Sequence, residues 1–130
     1  MTIETILGSK TIAVVGISDD PTRPSHFVAG FLQAHGYNII PVNPKLSEWE
    51  GKKCYPDLPS IPGKVDVVDI FRRSEAVPPI VDEAIEIKAK VVWMQEGIVN
   101  EEAAAKARKA GIEVVMDKCM KKEYVRYNTG

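Results

Sequence analysis

Three short stretches carry residue types that could hold an anion. The first is Gly16, Ile17, Ser18, Arg23 and Ser25, where a glycine, hydroxyls and a guanidinium precede an apolar helix-like pattern. A glycine lets a backbone come close, and a helix N-terminus offers unpaired N–H groups and the positive end of a dipole. The second is Val42, Asn43, Pro44 and Lys45, and the third is Phe71, Arg72 and Arg73. Together they suit a ligand with more than one phosphate. Asp19 and Asp20 oppose that reading by like-charge repulsion, unless they point away or are offset by Arg23.

The spacing also says which phosphates. After Gly16 the chain runs Ile17, Ser18, Asp19, so the second glycine of GxGxxG is missing. An NAD site wants an acid after the second strand, to accept from the ribose hydroxyls. Lys45 stands there instead, and would attract a phosphate on the ribose. NADP and coenzyme A both carry one.

The elements that must position these residues follow from periodicity. Residues 11–16, 37–42, 65–71, 90–94 and 112–116 are short β-branched runs, as strands covered on both faces require. A further short strand is expected at 53–55. Helices are expected between them, with Thr2, Ser74 and Asn100 as caps, Pro24 at a first helical position, and Gly36 and Gly111 as stops. The segment 118–128 reads as a polar tail with helical character.

This alternation, without a hairpin signal, predicts a doubly wound α/β fold: one domain over 1–130, a parallel sheet of order 3-2-1-4-5, and helices on both faces. The switch point falls between the first strand and the 65–71 strand, and a ligand belongs at the carboxyl ends there.

Composition narrows the partners. The 130 residues are 45% hydrophobic and 27% charged, with a formal net charge of -1, which provides no field for nucleic acid or an anionic membrane. No run approaches the roughly 20 apolar residues of a membrane span, and the first residues do not resemble a signal peptide, so a cytoplasmic protein is expected. Cys54 and Cys119 are too few for a disulfide framework, and His26 and His35 form no metal-ligand cluster, so no metal site is expected. Both histidines read as surface or helix-packing residues, and Trp49 and Trp93 as packing. The hydrophobic loop around Trp49 is a candidate homodimer contact.

The motifs VVGISDDPTRPSHFVAGFL, GYNIIPVNPK, VDVVDIFRR and VVWMQEGI, in this order, resemble the stand-alone CoA-binding domain family, related to the CoA-binding domain of the succinyl-CoA synthetase α-subunit. The resemblance covers nearly the whole chain. It implies a Rossmann-like fold that binds coenzyme A or an acyl-CoA. By position, Gly16, Ile17, Ser18, Arg23 and Ser25 would hold the diphosphate. Val42, Asn43, Pro44 and Lys45 would meet the adenosine 3′-phosphate. Phe71, Arg72, Arg73, Val77 and Ile80 would flank nucleotide and pantetheine, and Gln95, Glu96 and Gly97 would line the side toward the thiol arm.

Catalysis does not carry over, because no part of this sequence matches the synthetase's phosphohistidine domain, and no nucleophile–base pair is suggested by spacing. Cys119 reads first as a small residue under the C-terminal helix; facing the crevice, it could form a mixed disulfide with the CoA thiol. An NADP-binding oxidoreductase, whose Tyr–Lys pair would be Tyr124 with Lys121 or Lys122, and an acyl-CoA-sensing regulatory subunit are the alternatives.

Overall fold

The computed structural model describes residues 1–128. A short helix α1, Ile3–Ile6, is capped by Thr2, whose hydroxyl accepts from Thr5 N at 3.1 Å. Strand β1, Thr11–Val15, leads through a loop into α2, Pro24–Ala34, and then β2, Asn38–Val42. Gly36 ends α2 in the left-handed region at φ 97°, as a C-terminal glycine should.

A small antiparallel hairpin follows, β3 at Glu48–Trp49 and β4 at Lys52–Lys53. It was not expected, because its turn is Glu50-Gly51 rather than Asn-Gly. Both turn residues have positive φ, 47° and 76°, as a two-residue hairpin loop requires. Next come β5, Val67–Ile70, a 3₁₀ turn at Ser74–Ala76, and α3, Val77–Glu86, with Pro78 and Pro79 in its first turn. The chain closes with β6, Val91–Met94; α4, Glu101–Lys109; β7, Glu113–Val115; and α5, Met120–Asn128. Asn100 caps α4 by accepting from Ala103 N at 2.9 Å. Ser74 caps nothing; its hydroxyl accepts from Val99 N at 3.1 Å.

Five strands form a parallel Rossmann-like sheet in the order β2-β1-β5-β6-β7, with the switch point between β1 and β5 as expected. The expected outermost strand at 53–55 is a correction. Lys52–Lys53 turns back on Glu48–Trp49, and only Tyr55 reaches β2, through a single parallel bridge to Val42. β2 is therefore the edge strand, which is where Pro41 is tolerated.

Side chains alternate across the sheet. Ala13 and Val15 face α3 and α4, packing with Val81, Ala84 and Ala104. Ile12 and Val14 face the other layer, with Val28, Leu32 and Met120. Trp49 joins this second cluster and is 2% exposed, so the hairpin buries its indole in the protein's own core instead of offering it to a second copy. Asp69, mid-strand in β5, is fully buried and neither carboxylate oxygen has a partner among the described residues. Burial pushes its pKa well up, so the carboxyl sits in the core as a neutral acid. No helix among the described residues is long and apolar enough to cross a membrane.

Candidate functional site

At the carboxyl edge of the sheet the chain leaves β1 through Gly16, at φ 87°. A Cβ built there would lie 2.8 Å from Arg72 Cδ and 2.9 Å from the Phe71 carbonyl oxygen. Only glycine lets the β1 and β5 loops pass this closely. Beside them opens a cavity of 660 Å³, bounded by these loops, the start of α2, the turn after β2 and the first turn of α5.

The N-terminus of α2 faces this cavity without a cap of its own. Arg23 is the N-cap residue, makes no side-chain cap bond, and is followed by Pro24 at the first helical position. Ser25 is only 6% exposed and lines the cavity, and its hydroxyl has no hydrogen-bond partner among the described residues. That hydroxyl is free to donate to or accept from a ligand in the cavity. Asp20 does not line the cavity. Its Oδ1 accepts from Thr22 N at 3.0 Å and Thr22 Oγ1 at 2.8 Å, and those bonds hold its carboxyl below the usual range. Asp19 does line the cavity, with Arg23 and Lys45 on the same walls.

The loop after β1 is held from below. The Ser18 carbonyl accepts from His26 Nδ1 at 2.8 Å and from Trp49 Nε1 at 3.2 Å. His26 Nε2 lies 3.0 Å from Glu50 Oε1, so the hairpin supplies both Trp49 and the carboxylate that orients the imidazole. Asn43 donates from Nδ2 to the Ile17 carbonyl at 2.7 Å, while its Oδ1 accepts from Lys45 N at 2.8 Å. One side chain thus couples the first loop to the turn that presents Lys45. Lys45 is exposed and has no ion-pair partner among the described residues.

The far wall comes from the ends of β6 and β7. Gln95 is 3% exposed, and its Oε1 accepts from Met120 N at 3.0 Å. Glu96 pairs with Lys122, whose Nζ reaches its two oxygens at 2.9 and 3.0 Å. That hydrogen bond and charge raise the Lys122 pKa. Cys119, half-buried, also lines the cavity.

Residues 10–125 match a family described as CoA binding domain. The chain belongs to the CoA-binding domain family. Among its relatives, an uncharacterized protein of Bacillus subtilis, YneT, is 48% identical over 118 residues, covering 91% of this chain and 87% of that protein. The acetate–CoA ligase (ADP-forming) I subunit alpha of Pyrococcus furiosus is 30% identical, covering 88% of this chain, and the chain spans only 28% of its length. A solved structure of a hypothetical protein from Pyrococcus horikoshii superposes with a TM-score of 0.92 at 43% identity, covering 97% of this chain and 92% of that one.

Of the residues singled out in the sequence for a CoA-binding domain, Gly16, Ile17, Ser18, Arg23 and Ser25 share the cavity. Asn43, Lys45, Phe71, Gln95 and Glu96 join them. Arg72, Arg73 and Gly97 border an adjoining shallow depression that shares Phe71 and Ile98 with the cavity. Arg73 is paired there with Glu75 at 3.4 Å. Val42 is 3% exposed in the core, contributing its carbonyl to Gly16 N at 2.9 Å, and Pro44 lies exposed in the turn. Val77 and Ile80 do not border the cavity; both pack beneath the sheet with Val81 and Ala84, because the apolar stripe of α3 is its core face.

Phe27, Leu46 and Ile98 line the cavity without having been singled out, and Lys122, named only for a Tyr–Lys pair, joins them. Phe27, on α2, is 45% exposed and lines the cavity. Its neighbours Val28 and Leu32 carry the packing. Tyr124 lies away from the cavity, edge-on to Phe31 at 5.7 Å and to Tyr37 at 5.9 Å. His26 is a helix-packing histidine with a specific partner, which its place in the sequence did not reveal.

Proposed function

We propose that the chain binds coenzyme A or an acyl-CoA in this cavity and is not catalytic on its own. The observation that carries the reading is the uncapped N-terminus of α2, where Arg23 and the Ser25 hydroxyl, which has no hydrogen-bond partner among the described residues, meet the cavity. A diphosphate there would take the free donors of the first turn and the positive end of the helix dipole. Across the same cavity Lys45, free of any carboxylate partner among the described residues, suits a phosphate on the adenosine ribose. Phe71 and Phe27 offer apolar and aromatic surface for the rest of the nucleotide.

The NADP alternative needs a proton donor at the cavity. Tyr124, the candidate, packs with Phe31 and Tyr37, and this disfavours that reading. Calorimetry with CoA, dephospho-CoA and NADPH tests the proposal. Binding of CoA in preference to both others supports it; no binding of either CoA form overturns it.

A further inference from the structure

The wall opposite the α2 N-terminus carries a chemistry of its own. Cys119 directly precedes α5, and its carbonyl accepts the first helical bond, from Glu123 N at 3.0 Å. Its thiol therefore stands at an N-cap position, beside the positive end of a nine-residue helix. Lys122, in the first turn of α5, lines the same cavity wall, with its ammonium paired to Glu96.

A separate observation points to a ligand at this place. Since Met120 N can only donate, the atom of Gln95 that faces it is the oxygen. The amide nitrogen is left with no partner among the described residues, on a side chain 3% exposed that lines the cavity. An amide donor with no protein partner, on the same cavity lining as the thiol, fits an acceptor carbonyl on a ligand arm lying along that wall. Cys54 is different in each respect. It is buried, its Sγ donates to the Asn43 carbonyl at 3.6 Å, and burial pushes its thiol pKa up.

We propose that Cys119 is a covalent attachment site for the thiol of the ligand held in this cavity, through a reversible mixed disulfide. This rests on the coenzyme A reading above. The co-reactant is a ligand disulfide, either CoA disulfide or a mixed disulfide of CoA with a small thiol. The Cys119 thiolate attacks the CoA-side sulfur, the ligand's S–S bond breaks, and the second thiol departs as a thiolate with the electron pair. A new S–S bond joins Cys119 to CoA, and the total number of disulfides is unchanged. A free thiol reverses the step. Gln95 would orient the arm by donating to one of its amide carbonyls.

The test exposes reduced, desalted protein to CoA disulfide and, separately, to glutathione disulfide, with intact mass and peptide mapping as readouts. Calorimetry of CoA with the wild-type protein under a phosphine reductant runs alongside. One CoA adduct per chain on Cys119 is expected, formed about tenfold or more faster than the glutathione adduct because the cavity holds the reactant in place. It should be released by dithiothreitol, unchanged in Cys54→Ser and absent in Cys119→Ser. An adduct on Cys54, equal rates with the two disulfides, or no adduct in protein that binds CoA would overturn the attachment and leave the coenzyme A reading standing. No CoA binding by calorimetry would overturn both.

Discussion

The imidazole of His26 donates from Nδ1 to the Ser18 carbonyl at 2.8 Å, so a residue inside α2 fixes the loop that precedes it. Trp49 Nε1 reaches the same oxygen at 3.2 Å from the hairpin. The Ser18 loop is thereby held both from the helix that follows it and from a hairpin outside the strand–loop–helix unit.

Replacing His26→Phe should weaken CoA binding about fivefold. One hydrogen bond to the Ser18 carbonyl is lost, of the order of 1 kcal/mol, while Trp49 keeps the other. Calorimetry checks this, and His26→Gln, which keeps a donor, should recover part of the loss. Unchanged affinity in His26→Phe would mean the clamp does not position the loop for ligand.

Gly16→Ala should destabilise the fold by about 1–3 kcal/mol, from the positive-φ strain and crowding against Phe71 and Arg72. Thermal unfolding should show a midpoint lower by several degrees. Gly97→Ala, at φ 85° but with open space around its Cβ, should cost less.

Lys45→Ala should erase a preference for CoA over dephospho-CoA, since only the ribose phosphate distinguishes those ligands. The expected loss is about tenfold for CoA and little for dephospho-CoA, and the wild-type preference should shrink as salt is raised. Equal losses for both ligands would place Lys45 elsewhere on the nucleotide.

Asp69→Asn should flatten the dependence of stability on pH. The folded-state pKa of Asp69 is raised, so between the unfolded value near 3.8 and the folded one the native chain keeps a proton that the unfolded chain has released. Stability from this group is full below the unfolded value and falls as pH rises toward the folded pKa. The variant, which does not titrate, should therefore match the parent at pH 3–4 and exceed it at pH 8 in denaturant titrations.

Much of the fold was legible because its strands are short β-branched runs and because Thr2, Asn100, Gly36 and Gly111 mark helix ends. The places of Gly16 and Lys45 on the cavity lining were legible in the same way, from residue type at a fixed place after a strand. The hairpin was not, since two-residue strands have no periodicity to read and Glu50 is an unusual occupant of a left-handed turn position. Val77 and Ile80 were placed beside the nucleotide by the resemblance alone, whereas on α3 they belong to the apolar stripe that serves the core. Lys122 and Phe27 were missed because the cavity wall they form depends on how α5 crosses back over α2, which no local pattern encodes.

The bond from Asn43 to the Ile17 carbonyl, at 2.7 Å, has one more consequence. With the clamp on Ser18 and the close passage at Gly16, it means that the loops around the cavity are ordered by the chain's own contacts. The conformational entropy of arranging them is lost when the protein folds, and little is left to lose when a ligand arrives. Association should then resemble docking into a set mould, and affinity differences among nucleotide ligands should arise mainly from how fast each one leaves.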